Sequence, residues 1–221
     1  IDDARGTRVH RDRFEAYLSK VQDEDLTLGV AMTDAKGDRS LRPHQQGNAD
    51  AYVHIVKRSK KGITISGTKA IVTGAPYMHE LLVMPCRNMS EQDAAFAVCC
   101  AVPIDAKGLT IVARPAGRPG EKSALFSNRY GQSTGVCIFD KVFVPYERVF
   151  FAGEWEHSGF LTYQYATHHR HTCIGARAGF GDLLIGAGAL FIDVLQEGAA
   201  QVAPFSFAPS APGLWPRKSP C

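Results

Sequence analysis

The feature that most constrains the fold is a series of short runs rich in β-branched and aromatic residues, bounded by turn-forming residues. They cover residues 26–33, 52–58, 63–73, 81–85, 96–102, 109–113 and 136–144. Lys60, Lys61 and Gly62 separate the second run from the third and are typical of a hairpin turn. Many short strands separated by turns predict a central β-barrel or β-sandwich.

Helical periodicity flanks this β region on both sides. Residues 10–25 place Phe14, Tyr17, Leu18 and Val21 on one helical face. After Pro145 the pattern predicts one helix over residues 160–170 and a second over 175–196. The chain is therefore predicted to be an α+β protein. It divides into an N-terminal helical part (1–26), a central β domain (27–150), the start of a helix bundle (151–197) and an irregular tail (198–221).

Both ends of the sequence suggest a truncated chain. It begins at Ile1 within an ordinary polar stretch, without an initiator methionine. After Glu197 the composition changes to a proline-rich stretch without periodicity, which opposes helix and central-strand formation. One interpretation is a native disordered tail. The favoured one is a frame change or gene break that replaced the rest of a helical domain.

Composition excludes several classes of protein. The 25 basic and 22 acidic residues are spread along the chain, which gives no basic surface for nucleic acid. The six cysteines form no C-x-x-C pair, which favours free thiols over a disulfide framework or a zinc site. The given residues show no signal-peptide pattern, and Asp182 and Asp193 interrupt the most apolar stretch. A cytoplasmic protein without a membrane or nucleic-acid partner is expected.

The loop that follows the first predicted strand concentrates polar and charged side chains. Its candidate cofactor-binding residues are Met32, Thr33, Asp34, Lys36, Gly37, Asp38 and Arg39. Loop amides beside Lys36 and Arg39 are suited to an anion such as pyrophosphate, or to the negative charge of a reduced flavin ring. The alternative is a solvated turn with ordinary charges.

A second candidate segment is the end of the 63–73 strand. Ile71, Val72 and Thr73 precede Gly74 and Pro76, which turn the chain towards an exposed tyrosine and histidine. Ligand contacts often collect at such strand ends. We expect Thr73 to hydrogen-bond a flavin edge. His79 is a candidate for orienting a substrate oxygen, although a lone histidine is more often structural.

The third candidate segment is residues 167–173, where three histidines, Arg170 and Cys173 are crowded at the start of the C-terminal helices. This density suits a base, a metal ligand or a phosphate contact. The alternative is a helix end where His and Arg interact favourably with the helix dipole.

Together these three segments resemble the 4-hydroxybutyryl-CoA dehydratase (vinylacetyl-CoA isomerase) branch of the 4-hydroxyphenylacetate 3-hydroxylase flavoprotein family. The resemblance covers residues 6–195. The M-T-D-x-K-G-D-R motif at residues 32–39 is fairly specific for the dehydratase branch. Residues 101–108 and 142–145 match the wider family.

The resemblance implies an acyl-CoA-dehydrogenase-like fold, with a helical N-terminal domain, a β-barrel middle domain and a C-terminal helix bundle, in a homo-oligomer that is usually a homotetramer. It also implies FAD bound against residues 32–39 and 71–73. A [4Fe-4S] cluster held by three cysteines and one histidine is implied for the dehydratase branch, and two of those cysteines are expected to lie before Ile1, outside this chain. The histidine corresponds to His169, which in the family is both an iron ligand and a base.

The chain departs from the dehydratase pattern at several positions around this cluster. The Cys-Lys pair of the branch is replaced by Ala176 and Arg177, a site tyrosine by Cys173, and a glutamate that handles protons by Thr134. The flavin segment matches more completely than the iron segment.

Three functions therefore stay open. The leading prediction is a flavin-dependent dehydratase and isomerase of a short-chain acyl-CoA. The second is a reduced-flavin-dependent aromatic hydroxylase that acts on a phenolic acid. The third is an inactive gene fragment.

Overall fold

The computed structural model describes residues 1–117, 120 and 125–202. The helices are α1 (Asp2–Arg5), α2 (Val9–Asp23), α3 (Leu125–Tyr130) and α4 (Ser158–Val202). The strands are β1 (Leu28–Ala31), β2 (His54–Arg58), β3 (Gly62–Thr73), β4 (Glu80–Val83), β5 (Val98–Pro103), β6 (Leu109–Arg114), β7 (Thr134–Pro145) and β8 (Val149–Ala152).

The strands form two four-stranded sheets. The first sheet has the order β1-β4-β5-β8, and the second has the order β2-β3-β7-β6. β1 and β4 run parallel, with Leu28 opposite Glu80 and Ala31 opposite Val83. The other strand pairs are antiparallel. This pairing makes the chain segments that follow β1 and β4 leave the same edge of the first sheet.

Apolar side chains of both sheets form one core. Leu81, Val83 and Val102 from the first sheet join Ile63 and Phe139 from the second, and each is at most 2% exposed. Alternating burial along β7 shows why its residues form a half-buried strand. The β domain is therefore a two-sheet sandwich, one of the two architectures predicted from the sequence, and its sheets do not close into a barrel.

Helix α2 packs on the first sheet through aromatic side chains. Phe14 and Tyr17 contact Phe150 of β8, with ring centroids 5.6 and 5.1 Å apart. The Tyr17 hydroxyl donates to Glu80 of β4 at 2.9 Å, and the same carboxylate accepts from Arg148. Burial and the neighbouring Glu80 carboxylate raise the pKa of Tyr17, so its hydroxyl stays protonated and keeps donating. A buried, charge-assisted cluster thus fixes the helix on the sheet.

The prediction of two separate C-terminal helices is wrong, because α4 is one continuous helix of 45 residues. Thr172 and Gly175 lie where a break was expected. The Thr172 hydroxyl bonds back to the carbonyls of His168 and His169, as is common for Thr inside helices. Glycine lowers helix propensity by about 1 kcal/mol without ending a helix, and proline is absent from residues 158–202.

Other elements differ from the sequence predictions in smaller ways. α1 and β8 were not predicted, and α3 lies in a segment expected to be a loop. α4 continues into the predicted irregular tail as far as Val202, and the rest of the tail lies outside the described residues.

The chain divides into two compact units, residues 1–166 and 167–221. The first contains both sheets and α2. The four-part domain division stays a prediction. In the described part of the chain, the helical stretch Trp155–Gly198 is long and apolar enough, by length and composition alone, to cross a membrane. Asp182 and Asp193 lie within it, and a bilayer interior would penalise both carboxylates.

Candidate functional site

The two predicted cofactor segments of the β domain lie side by side. The Ala70 amide donates to the Thr33 carbonyl at 2.8 Å, and the Ala35 amide donates to the Thr68 carbonyl at 3.1 Å. The loop after β1 therefore runs antiparallel to β3 for a short distance. This adjacency is the geometry that a shared binding wall requires.

A buried ion pair holds the loop on β3. The Lys69 ammonium lies 2.8 Å from the Asp34 carboxylate, and it also donates to the carbonyls of Met32 at 2.9 Å and Met84 at 2.8 Å. The same Asp34 carboxylate accepts from the Val53 amide at 3.0 Å. Asp34 thus positions the loop, because its carboxylate is buried among these donors and turned away from solvent.

The tip of the loop is shaped by a side-chain clamp. Gln46 accepts from the Asp38 amide at 3.0 Å and donates to the Asp38 carbonyl at 2.7 Å. A Cβ on Gly37, whose φ is +50°, would lie 2.5 Å from the Gln46 side-chain oxygen. Hydrogen bonds from the hydroxyl and amide of Ser40 lower the pKa of the exposed Asp38 carboxyl. The positive φ at position 37 favours glycine at the tip of the loop.

Two of the predicted cofactor residues have a strained backbone. Lys36 has a φ of +73° and Ile71 a φ of +59°, although neither is glycine. Ile71 is β-branched, is 70% exposed and lies at a register shift between β3 and β7. Such conformations are rare for β-branched residues and cluster at ligand sites. They turn Ile71 outward beside the loop.

A cavity of about 270 Å³ opens at the loop. Its lining residues are Lys36, Arg39, Tyr52, Cys86 and Arg87. Lys36 and Arg39 were predicted from the sequence, whereas Tyr52, Cys86 and Arg87 were not. Residues 86 and 87 reach the cavity because they follow β4, which pairs in parallel with β1. The sequence alone carries no signal for that pairing.

The end of β3 brings another family position to the same sheet. Thr73 is the cross-strand partner of Thr134, the position that corresponds to the proton-handling glutamate of the dehydratase branch. Thr73 is exposed and Thr134 half-buried, whereas Val72 is buried in the core. Val72 therefore contributes its backbone to the segment rather than its side chain.

The structure does not bring His79 to the loop. The His79 ring nitrogen Nδ1 accepts from the Thr27 amide at 2.9 Å, where β1 and β4 begin. The loop leaves the opposite ends of these strands. The length of a strand, at roughly 3.3 Å per residue, therefore separates His79 from the loop. His79 thus joins two strand starts, and its part in substrate orientation stays a prediction.

His169 lies on α4 in the second unit, where it faces Cys173 one turn further on. The Cys173 sulfur is 3.6 Å from Nε2 and 3.7 Å from Nδ1 of His169. Both residues line a groove of about 290 Å³ together with Arg170, Ile174 and Arg177. Among the described residues, no group of three or more His, Cys, Asp or Glu side chains is placed to hold a metal ion. The described ligand set is therefore too small for an iron-sulfur cluster.

Comparison with known proteins gives the relatives of this chain. Residues 2–151 match the N-terminal region of the 4-hydroxyphenylacetate 3-hydroxylase family. The chain is 37% identical over 199 residues to the 4-hydroxybutyryl-CoA dehydratase/vinylacetyl-CoA-Δ-isomerase of Clostridium aminobutyricum. That match covers 87% of this chain and 40% of the relative, so the chain spans about two fifths of the relative's length.

Solved structures show the same fold. The oxygen-tolerant archaeal 4-hydroxybutyryl-CoA dehydratase from N. maritimus matches with a TM-score of 0.80 and 36% identity, covering 87% of this chain and 39% of that one. The oxygenase component of 4-hydroxyphenylacetate 3-monooxygenase, complexed with FAD and 4-hydroxyphenylacetate, matches with a TM-score of 0.61 and 28% identity over 71% and 33% of the two chains. The predicted α+β fold, with a central β domain flanked by helices, is confirmed by these two structures.

Proposed function

Because this chain belongs to the 4-hydroxyphenylacetate 3-hydroxylase family, we propose that it supplies the flavin-binding β domain of an FAD-dependent enzyme. The proposed reaction is dehydration or isomerisation of a short-chain acyl-CoA. The observation that most strongly supports this reaction is the 37% identity with the dehydratase over most of the chain. The match to the oxygenase component has lower identity, at 28%.

The geometry of the loop and of β3 supports FAD as the cofactor. The loop and the strand lie side by side, and their exposed residues combine cations with an apolar side chain. Lys36 and Arg39 would hold the cofactor's phosphates, since both line one cavity. Ile71 is exposed beside the loop and would pack against an apolar ring, and the Thr73 hydroxyl would donate to a ring edge.

The chemistry divides between cofactor and chain. Bound FAD would supply electron transfer to and from the substrate. The chain's own residues would bind and orient the FAD and the substrate. The imidazole of His169 would take a proton from the carbon next to the thioester carbonyl. His169 is exposed, so a substrate can reach its ring. Arg170 and Arg177 beside it would favour the negative charge that develops there.

The described residues supply only part of the ligand set of an iron-sulfur cluster. His169 and Cys173 supply two side chains of the required type, and Ala176 cannot act as a ligand. We therefore assign no step of the reaction to a cluster held by these residues. The alanine at position 176, where the dehydratase branch has a cysteine, is the observation that favours the second candidate, a reduced-flavin-dependent aromatic hydroxylase acting on a phenolic acid.

Homo-oligomeric assembly and a cytoplasmic location complete the proposal. Both rest on the family resemblance. The small-molecule substrate would be an acyl-CoA for the dehydratase function and a phenolic acid for the hydroxylase function.

Anaerobic purification and FAD reconstitution test the proposed function. We expect the protein to retain FAD, visible as flavin absorbance that survives gel filtration, and to form an unsaturated acyl-CoA from 4-hydroxybutyryl-CoA. Hydroxylation of 4-hydroxyphenylacetate with reduced flavin and oxygen would instead establish the second candidate. Protein that retains no FAD and converts neither substrate would contradict both and identify an inactive fragment.

A further inference from the structure

We propose that the cavity lined by Lys36, Arg39, Tyr52, Cys86 and Arg87 is a subsite for a phosphate or pyrophosphate group, and that Arg87 is its third cation. The identity of the molecule carrying that group rests on the proposed function. The anion site itself rests on the charges and contacts described below.

Three cationic side chains converge on this cavity from two separate segments. Lys36 and Arg39 belong to the loop after β1, and Arg87 follows β4. In the described part of the chain, no carboxylate lines the cavity or forms an ion pair with any of the three. Like charges brought together repel unless an anion lies between them. The arrangement is therefore complementary to a multiply charged anion.

Nearby carboxylates do not neutralise this positive charge. The Asp34 carboxylate is paired with the Lys69 ammonium at 2.8 Å. The Asp93 carboxylate is paired with Arg42 at 2.8 Å, and the Asp38 carboxylate accepts from Ser40 at 2.7 Å. Asp34 and Asp93 therefore each have a cationic partner, and none of the three acids lines the cavity.

Arg87 is held in place while most of its donors remain available. Its Nη1 donates to the Leu41 carbonyl at 3.4 Å, and the side chain is half-buried. A guanidinium group has five N–H donors in a planar fork that matches phosphate oxygens. Of the Arg87 contacts within the described residues, this carbonyl is the one hydrogen bond. A fixed guanidinium with open donors suits an oxyanion.

The size of the cavity limits its occupant to part of a ligand. Sites for whole ligands usually enclose about 300–1,000 Å³. The cavity of about 270 Å³ lies just below this range, and Tyr52, 1% exposed, forms a rigid wall with its ring edge-on to Phe96. Pyrophosphate or a phosphate ester is the group of suitable charge that both FAD and an acyl-CoA carry. The site is therefore suited to the phosphate group that the two molecules have in common.

Alkylation of Cys86 in the full chain reports on occupancy, because this thiol lines the cavity. Burial raises the pKa of Cys86, so the reaction is run in mildly alkaline buffer and followed by mass spectrometry of the Cys86 peptide. Inorganic pyrophosphate should slow the reaction saturably, about tenfold at ten times its Kd. A thiol introduced by Lys57→Cys, at an exposed position of β2 outside the cavity lining, serves as an internal control whose rate should not change.

Matched arginine variants test the role of Arg87. Arg87→Gln should raise the pyrophosphate concentration needed for protection by about tenfold or more, as expected for loss of a charge-assisted hydrogen bond. Arg58→Gln is the control, since Arg58 also donates to a backbone carbonyl, at 2.7 Å, but lies outside the cavity. Absence of protection by pyrophosphate, or equal protection in Arg87→Gln and the parent, would overturn the proposal.

Further arms identify the source of the phosphate. FAD and coenzyme A are compared with riboflavin and adenosine, which lack phosphate. Protection by FAD but not riboflavin assigns the site to the flavin cofactor, and protection by coenzyme A but not adenosine assigns it to the acyl-CoA. Retention of FAD without any Cys86 protection would refute the subsite and leave the proposed function standing. Protection by pyrophosphate in a protein that retains no FAD would support the subsite and contradict the proposed function.

Discussion

The ammonium group of Lys69 lies 2.8 Å from the carboxylate of Asp34, and both side chains are 2% exposed. The same ammonium donates to the carbonyls of Met32 and Met84. Met32 follows β1 and Met84 follows β4. The buried Lys69 ammonium therefore hydrogen-bonds to both of the segments that line the cavity. The pair therefore couples the stability of the sandwich to the shape of the candidate site.

Replacement of Lys69 by methionine should destabilise the protein by about 3–5 kcal/mol, because it leaves the Asp34 carboxylate buried without its partner. The free energy of unfolding is measured by urea denaturation. Lys57→Met, at an exposed position of β2, is the matched control and should change stability by less than about 0.5 kcal/mol. Similar effects of the two substitutions would show that the Lys69–Asp34 pair contributes little.

Replacement of Arg39 by alanine should weaken FAD binding by about 1.5–3 kcal/mol through loss of a charge-assisted hydrogen bond. The lower end is expected because Arg39 is exposed. Flavin fluorescence titration measures the affinity, with Arg58→Ala as the control for removal of a surface arginine. Equal affinity of the Arg39→Ala variant and the parent would count against the assignment of the loop to the cofactor.

Replacement of His79 by alanine should cost about 0.5–1.5 kcal/mol of stability, because the Thr27 amide loses its acceptor. FAD affinity should stay at the parent value, since His79 lies at the strand starts and the loop at the strand ends. Thermal unfolding and flavin titration are measured on the same samples. A large loss of turnover with unchanged stability would instead restore His79 as a group that orients the substrate.

Replacement of His169 by alanine should lower turnover by at least about 100-fold if its imidazole is the base. The circular dichroism spectrum and FAD affinity should be preserved, since His169 is exposed on α4. His171→Ala removes another exposed histidine of the same helix and serves as the control. Turnover near the parent level in His169→Ala would rule out this role.

Replacement of Asp93 by asparagine should reduce the dependence of the free energy of unfolding on pH in the acidic range. Burial by itself raises the pKa of Asp93, but hydrogen bonds from His44 at 2.6 Å and Ser90 at 2.8 Å outweigh it and hold the pKa well below its usual range. The stabilisation is complete above the unfolded-state pKa of about 3.9 and is lost as the pH falls towards the folded-state value.

The parent should therefore lose more stability than Asp93→Asn between about pH 5 and pH 3. Urea midpoints are measured across this range, with Asp105→Asn as an exposed control. Parallel curves for the parent and Asp93→Asn would contradict the argument. The comparison uses the slope with pH, because the substitution also removes an ion-pair partner of Arg42 at every pH.

The accuracy of the sequence predictions follows from how local each signal is. Strand β3 was predicted at residues 63–73 and is observed at Gly62–Thr73, since its β-branched residues and the turn residues that bound it are local signals. α4 was predicted as two helices, because its glycines and Thr172 lower local propensity. Continuous backbone hydrogen bonding across that stretch outweighs such small penalties.

The candidate site shows the same division between local and non-local information. Lys36 and Arg39 were identified because they share one polar loop with Gly37. Arg87 and Tyr52 were missed, because they lie far from that loop along the chain. Asp34 was predicted to contact the cofactor, and its partner Lys69 was not noticed, because nothing local predicts that a lysine in a strand is buried.

The sequence by itself determined most of the strands, the presence of helices on both sides of them, and which loop carries the cations and glycine of a cofactor site. Only the tertiary structure decided that β4 pairs in parallel with β1, which brings Arg87 beside Lys36 and Arg39. The physical reason is that periodicity reports which face of a segment is apolar. The neighbour of a strand is selected by packing of the whole core and by the buried hydrogen bonds of residues such as Lys69.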